Sequence, residues 1–392
     1  MANTSETPEA PSNANVEPRA LLSQLNWLRV SPDEADAPIY EYPLFSDAHV
    51  TGEVTSGLGP YSFLNSVPMP SGPGVVNAPI VLRAFFYLGE YRPDMSKKDE
   101  SLYHGGTLVD EIAALASLAI GVRIRAGGET RRFEPGKDPY GRPCAWNDEP
   151  RPVVRVRRNH LVLPSVTGTH SMNPLEKLKS IPLIDPARYV SLIRACKFYQ
   201  DALWVAESEP NLAWLMFVSA LETVANDVYE TDASADDRLR DSKPDLAALL
   251  EQHGGHQLVT QVANMIAHTF GATKKFIDFT MQFMPDPPQE RPEQDCLCVK
   301  WSKTSLKTIL NSVYGYRSRS LHAGLPFPAP MFEAPFKFAP DAPPSEVPLT
   351  GLASHSLGGT WMPKDTPINL HCFHYIARGV LLNWWRSISN DG

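Results

Sequence analysis

A long helical pattern near the C-terminal end, from Ser302 to Gly324, constrains the fold of this chain more than any other stretch. Its apolar residues Leu306, Leu310 and Val313 recur at the spacing that places side chains on one face of an α-helix. A glycine directly after such a pattern is typical of a helix C-terminus. The stretch therefore predicts an amphipathic helix whose apolar face packs against other helices.

An arginine and a histidine lie five residues apart at the end of this predicted helix, at Arg317 and His322. At about 100° per residue, Arg317 falls within the apolar stripe, so its guanidinium needs an anionic partner. Arginine is a permanent cation and a histidine side chain can exchange a proton, so the pair can hold a phosphate and move a proton beside it. The alternative is a simple helix end, because cationic side chains in a last turn favour the helix dipole.

Two further helical patterns cover residues 187–207 and 211–229. In the second, Glu222 is a lone charged side chain at the edge of the apolar stripe. We expect its carboxylate to pair with Arg317 and to orient the guanidinium. The alternative is that Glu222 faces solvent or caps a neighbouring helix.

The pattern Tyr-x-x-Arg-Ser-x-x-x-His-Ala-Gly over residues 314–324 resembles the motif of the HEPN superfamily of small helical ribonucleases, and most closely its Apea-like branch. Residues 214–224 resemble the helix of that branch that carries a Leu-Glu pair. The two matches span roughly half of the chain. Ser318 departs from the asparagine that is common after the arginine elsewhere in the superfamily, although serine is usual in the Apea-like branch.

The resemblance implies RNA cleavage without a metal or other cofactor, in which the ribose 2′-OH attacks the adjacent phosphate. His322 would be the general acid or base, and Arg317 would stabilise the charge on the phosphate. Ser318 and Glu222 would support this site. The resemblance also implies a bacterial toxin or effector that acts in phage defence.

The resemblance further implies a site formed across a symmetric homodimer. Five residues of a regular helix separate Arg317 and His322 by about 140°, so one copy does not bring them together easily. Two alternatives remain open. One is a non-catalytic HEPN scaffold or RNA-binding module that regulates a partner protein. The other is a nucleotide or small-molecule sensor in which Arg317 holds a ligand phosphate.

The sequence predicts an α+β fold, in which an N-terminal mixed α/β domain is followed by an all-α HEPN-like helical bundle. The predicted boundaries are a disordered tail at 1–19, the mixed domain at 20–175 and the helical domain at 183–392. A proline-rich insertion occupies residues 325–365 and is expected to pack through its aromatic side chains.

Within the predicted mixed domain, residues 78–88 indicate a strand buried on both faces, and Thr107 is placed to cap a helix over residues 108–122. Alternation on both sides of Gly127 and Gly128 predicts a β-hairpin. Residues 152–162 predict another strand.

Basic residues outnumber acidic residues by ten to five between residues 120 and 160, a local excess of about +5 in a chain of net charge −8. The negative total argues against nucleic-acid binding by the whole surface, so any RNA contact has to be local. One interpretation is a solvated strand face. The other is an RNA track, for which the candidates are Arg123, Arg125, Arg155 and Arg157, together with Arg319 beside the motif.

Five scattered cysteines and a polar, acidic N-terminus without a signal peptide predict a protein of the cytoplasm. The longest apolar run, at residues 112–122, is too short to span a bilayer. No metal site is expected at Cys296 and Cys298, because no second pair of ligands follows at zinc spacing. We expect His371, His374 and Arg378 to form a polar rim on the last helix.

Overall fold

The computed structural model describes residues 19–30, 37–67, 72–89, 95–134, 138–145, 149–156, 161–229, 234–266 and 271–389. The predicted disordered tail, apart from its last residue, and the candidate Arg157 lie outside these described residues. Helices and a smaller amount of strand give an α+β fold, as the sequence predicts.

An antiparallel sheet forms the centre of the N-terminal part. Its strands follow the spatial order β3-β4-β1-β6-β7, and β5 also pairs with β1. The short strand β2 lies outside this sheet and pairs in parallel with β8. The strand bounds are β1 (Ile39–Ser46), β2 (His49–Thr51), β3 (Tyr61–Asn65), β4 (Asn77–Phe85), β5 (Arg125–Ala126), β6 (Arg131–Phe133), β7 (Arg142–Pro143) and β8 (Thr169–Ser171).

The strand predicted over residues 78–88 corresponds to β4, but it is buried on one face only. Ile80, Leu82 and Ala84 are 0% exposed, whereas the residues between them are half-buried. The expectation of burial on both faces was wrong because β4 lies in an antiparallel sheet with one covered face, and such a sheet leaves its other face partly open to water.

The hairpin predicted at Gly127 and Gly128 is absent, because β5 and β6 both pair with β1 and not with each other. The Gly127 amide donates to the Pro43 carbonyl (2.9 Å), so the chain continues along the same edge of β1. A Cβ on Gly127 would lie 2.5 Å from the Phe45 ring. Glycine is therefore needed for close packing and not for a turn. The strand predicted at 152–162 is also wrong in the described residues of that range, which are irregular.

Helix α1 (Leu22–Leu28) is followed by the buried helix α2 (Leu108–Ile120). Thr107 caps α2 as predicted: its side chain accepts from the Asp110 amide, and the Asp110 carboxylate accepts from the Thr107 amide. Gly121 ends α2 with a φ of 87°, in the left-handed region that favours glycine. The helix packs on the first long helix of the C-terminal part, so the predicted halves share an extensive contact.

Seven helices are described in the C-terminal part. They are α3 (Pro186–Val205), α4 (Pro210–Val228), α5 (Ala235–Ser242), α6 (Pro244–Ile266), α7 (Ala272–Gln282), α8 (Lys303–Ala323) and α9 (Leu370–Ile388). The helices predicted at 187–207, 211–229 and 302–324 are confirmed as α3, α4 and α8. The strongly charged residues 235–242 form α5. Ser234 caps α5, and acidic residues in its first turn with Arg240 in its last favour the helix dipole.

One contiguous cluster of buried apolar side chains runs through both predicted domains, from Leu21 in the N-terminal part to Trp385 in α9. The insertion at 325–365 belongs to this core through Phe327 and Met331, which are 1% and 0% exposed. It also carries a small hairpin of β9 (Ser354–Ser356) and β10 (Gly359–Trp361). The expectation that the insertion packs is therefore confirmed. None of the described helices is both long and apolar enough to cross a membrane.

The prediction of a polar rim on α9 was wrong, because its two histidines and its arginine pack against other parts of the protein and do not face solvent. His374 is 4% exposed, and its Nε2 lies 2.8 Å from the Tyr199 hydroxyl. Arg378 donates to the carbonyls of Leu118 and Ala119 at the end of α2. These polar groups therefore join α9 to α2 and α3.

The buried histidines of α9 give an expected dependence of stability on pH. Burial lowers the pKa of His371 to about 4 and the pKa of His374 well below its ordinary value. An imidazole in the unfolded chain titrates near pH 6.5. As the pH falls, the unfolded chain therefore binds protons at a higher pH than the folded chain does. Stability is full above about pH 6.5 and is lost as the pH falls toward 4, by up to about 1.4 kcal/mol per unit for each histidine.

Urea unfolding at pH 7.0, 6.0 and 5.0 measures this dependence. The variant His371→Leu should show a shallower loss of stability than the wild type between pH 6.5 and 4. His253→Leu, at an exposed histidine of α6, is the control and should keep the full slope. Equal slopes in all three proteins would contradict the prediction.

Candidate functional site

Helix α8 carries the Arg-His motif in its last two turns. The Ser302 side chain accepts from the Ser305 amide and starts the helix, and Gly324 ends it with a φ of 66°. Leu306, Leu310 and Val313 are buried. The apolar face therefore fixes the rotation of α8 and decides which side of the motif meets the protein and which meets solvent.

The Glu222 carboxylate of α4 holds two side chains of the motif. Its Oε2 accepts from Arg317 Nη2 at 2.6 Å, and its Oε1 accepts from the Tyr314 hydroxyl at 2.8 Å. The Arg317 and Glu222 side chains are 22% and 12% exposed. The predicted contact between Glu222 and Arg317 is confirmed, and the alternative of a Glu222 that faces solvent does not hold.

Tyr314 is a contributor that the sequence reasoning missed. Burial, reinforced by the hydrogen bond to the Glu222 carboxylate, raises the pKa of Tyr314, so the phenol stays neutral and acts as a donor. The Arg317 guanidinium also lies over its ring, 5.6 Å from the centroid. Its position three residues before Arg317, on the same helix face, is the signal that could have identified it.

The contacts that Glu222 and Tyr314 make with Arg317 form a clamp on its guanidinium. Arg317 keeps unused hydrogen-bonding capacity beside this clamp. A guanidinium has five N–H donors, and Glu222 accepts from Nη2. The Nε atom is buried and has no hydrogen-bond partner in the described parts of the chain. The group is therefore oriented by a carboxylate but retains donors for a second anion.

His322 points in a different direction from Arg317. It is exposed, whereas Arg317 is half-buried against α4. Five helical residues displace the two side chains by about 7.5 Å along the axis and about 140° around it. One copy of the chain therefore does not bring the two groups together on one side of α8.

The other predicted residues of the motif have distinct surroundings. Ser318 is half-buried, and Arg319 is exposed with its guanidinium 4.6 Å from the centroid of the Tyr316 ring. The Tyr316 hydroxyl donates to the Asp365 carbonyl at 2.6 Å, at the far end of the insertion. The motif therefore also anchors the point where the insertion returns to the helical core.

The beginning of the insertion is anchored as well. Phe327 stacks on Trp214 with 5.0 Å between ring centroids, and Trp214 donates to the Met331 carbonyl at 3.2 Å. Asn211 of α4 accepts from the Phe327 amide and donates to the Ser320 hydroxyl. The sequence reasoning did not single out Asn211, which joins α4, α8 and the insertion.

Arg123 was predicted to contact RNA, and this prediction was wrong. It is 0% exposed and lies between the carboxylates of Asp47 and Glu207, each 2.9 Å away. Its Nε donates to the Leu203 carbonyl at 2.7 Å. The guanidinium is thus a buried link between the sheet region and α3, and each of its three nitrogen atoms already donates a hydrogen bond within the protein.

Several other arginines of this basic region form ion pairs, so its net positive charge is smaller than the number of arginines indicates. Arg125 pairs with Asp201 at 2.8 Å, and its guanidinium lies over the Trp204 ring. Arg155 is exposed, on an irregular segment. Three further arginines of this region, Arg131, Arg132 and Arg142, each lie within 3.5 Å of a carboxylate oxygen. Asp47, Glu207, Asp201 and Glu41, which lie outside residues 120–160, therefore offset part of the local charge, whereas Glu129 and Asp138 are already counted in it. RNA binding by Arg125 and Arg155 stays a prediction.

Tyr314→Phe tests the clamp on Arg317. The change removes one hydrogen bond to a partly buried carboxylate and should lower the free energy of unfolding by about 1–2 kcal/mol. Urea unfolding measures the effect. Tyr103→Phe, at a tyrosine that is 73% exposed, is the matched control and should change stability by less than about 0.5 kcal/mol. Equal effects of the two variants would contradict the clamp.

In the described part of the chain, no group of three or more His, Cys, Asp or Glu side chains is placed to hold a metal ion. Comparisons with protein-family models, with curated proteins and with solved structures found no match to this chain.

Proposed function

We propose that this protein is an RNA endonuclease of the HEPN type that acts as a homodimer without a metal ion. The observation that carries the proposal is the clamp on Arg317: Glu222 and Tyr314 orient a guanidinium that retains free donors, one turn before an exposed histidine on the same helix. An oriented cation and a solvent-accessible imidazole are the two groups that cleavage by an internal nucleophile requires.

The reaction proceeds through transesterification at phosphorus. The ribose 2′-oxygen bonds to the adjacent phosphorus atom while the bond to the 5′-oxygen of the next nucleotide breaks. A base takes the 2′-proton, an acid gives a proton to the leaving 5′-oxygen, and the product carries a 2′,3′-cyclic phosphate. His322 supplies one of these two proton transfers, and Arg317 stabilises the additional charge on the phosphoryl oxygens.

The direction of the two side chains in one copy favours a site shared between two copies. Arg317 faces α4 and His322 faces solvent, so a two-fold axis beside the end of α8 would place the histidine of each copy next to the arginine of the other. Arg319 is exposed on this helix end and would contact the RNA backbone. The role we propose for the protein is that of a cytoplasmic effector in bacterial phage defence.

The test is cleavage of a mixed RNA pool by the purified protein in the presence of EDTA. We expect fragments that end in 2′,3′-cyclic phosphates, which acid treatment opens and polynucleotide kinase removes. Fragments with 3′-hydroxyl ends would contradict the mechanism. Tight RNA binding without any cleavage would instead favour the second candidate, a non-catalytic RNA-binding module. The pairing of Arg317 with Glu222 is compatible with this candidate too.

A further inference from the structure

A cavity of about 240 Å³, whose lining is mainly apolar with a few polar side chains, lies beside α9, and none of residues 314–324 lines it. The walls come from α9, from the end of α2 and from two proline-containing segments that precede and follow α8. His371, His374 and Arg378 of α9 face it together with Glu346 of the insertion. The cavity is thus independent of the site proposed for RNA cleavage.

Two charged groups at this cavity, Arg378 and Glu346, already have partners. Arg378 donates to the Leu118 and Ala119 carbonyls at the negative end of α2. This approach depends on Gly121, where a Cβ would lie 2.6 Å from Arg378 Nε. Glu346 accepts two hydrogen bonds of 2.7 Å from Arg291. A charged ligand would therefore have to compete with the Arg291–Glu346 ion pair and with the carbonyl contacts of Arg378, whereas an uncharged ligand would not.

The two histidines have hydrogen-bonding capacity that the protein does not use. The Nδ1 atoms of His371 and His374 are buried and find no hydrogen-bond partner among the described residues. Burial lowers the pKa of both imidazoles, so both are neutral at physiological pH, and the Nδ1 atom of each is left to donate or to accept a hydrogen bond. A buried polar atom without a partner lowers stability, and a bound polar molecule that pairs with it would recover this loss.

We propose that this cavity binds a small uncharged heterocycle that carries both hydrogen-bond donors and acceptors, with His371 and His374 as its polar contacts. The volume sets the size of the ligand. The cavity is smaller than the about 300–1,000 Å³ of sites that hold drug-sized ligands, so it suits a small molecule. A free nucleobase has this size and this chemistry.

Isothermal titration calorimetry with uracil, with adenine and with inorganic phosphate tests the proposal on the full chain. We expect saturable binding of at least one of the two bases and weaker binding of phosphate. His371→Leu should weaken base binding by about tenfold, because one polar contact is lost. The control His253→Leu, at an exposed histidine, should bind as the wild type does.

Ser165→Trp provides a second variant that does not disturb the core, because Ser165 lines the cavity but is itself exposed. The larger side chain should obstruct the cavity and reduce base binding. The proposal is overturned if neither base binds at millimolar concentration, if phosphate binds more tightly than both bases, or if Ser165→Trp leaves the affinity unchanged. None of these results would bear on Arg317 and His322.

Discussion

Replacing His322 by alanine should reduce RNA cleavage by about 10²–10⁴-fold, the usual contribution of a general acid or base. The side chain is exposed, so the free energy of unfolding should change by less than about 0.5 kcal/mol. Initial cleavage rates on a labelled RNA, together with a urea unfolding curve, separate the two effects. His253→Ala removes an exposed imidazole elsewhere and should leave the rate unchanged. Undiminished cleavage by His322→Ala would refute the assignment.

Arg317→Ala should cause a loss of the same order, because an oriented cation beside the phosphate is removed. Arg319→Ala is its matched control, since this arginine lies two residues further on and is exposed. Cleavage that falls equally in both variants would indicate a general electrostatic effect and not a specific role for Arg317.

Mixing the two inactive variants tests whether the site is shared. If each site takes its arginine from one copy and its histidine from the other, a mixed dimer contains one intact site of two. Random exchange of subunits between Arg317→Ala and His322→Ala should then restore roughly a quarter of the wild-type rate. No recovery after exchange would show that each copy uses its own pair.

The variant Arg123→Leu should lower the free energy of unfolding by about 3–5 kcal/mol, because it leaves two buried carboxylates without their cation. Asp47 and Glu207 are 1% and 5% exposed, so water does not replace the lost partner. Urea unfolding at neutral pH measures the change. A loss below about 1 kcal/mol would contradict the buried link.

Arg125→Leu is the matched control for this prediction, because it removes the same group two residues away. Its ion pair with Asp201 is about 40% exposed on both sides, and such pairs contribute about 0–1 kcal/mol. The triple variant Arg123→Leu, Asp47→Asn, Glu207→Gln should be more stable than Arg123→Leu alone, since the uncompensated charges are removed as well.

Local patterns were sufficient for the features that depend on neighbours in sequence. The period of apolar residues predicted α3, α4 and α8, and the caps at Thr107 and Gly324 lie where the sequence placed them. The pairing of Glu222 with Arg317 was also predictable. Each is a charged group within or at the edge of an apolar stripe, and each requires a partner of opposite charge.

The sequence by itself thus determined the main helices and one ion pair of the candidate site. The tertiary structure decided which strand pairs with β5 and β6, which arginine of the basic region is buried, and that Tyr314 shares the Glu222 carboxylate. The physical reason is the same in each case. The residues around an arginine or in a short strand look the same in sequence whether the partner is water or a distant part of the chain. Arg123, for example, bonds to Leu203 and Glu207, which are about 80 residues away.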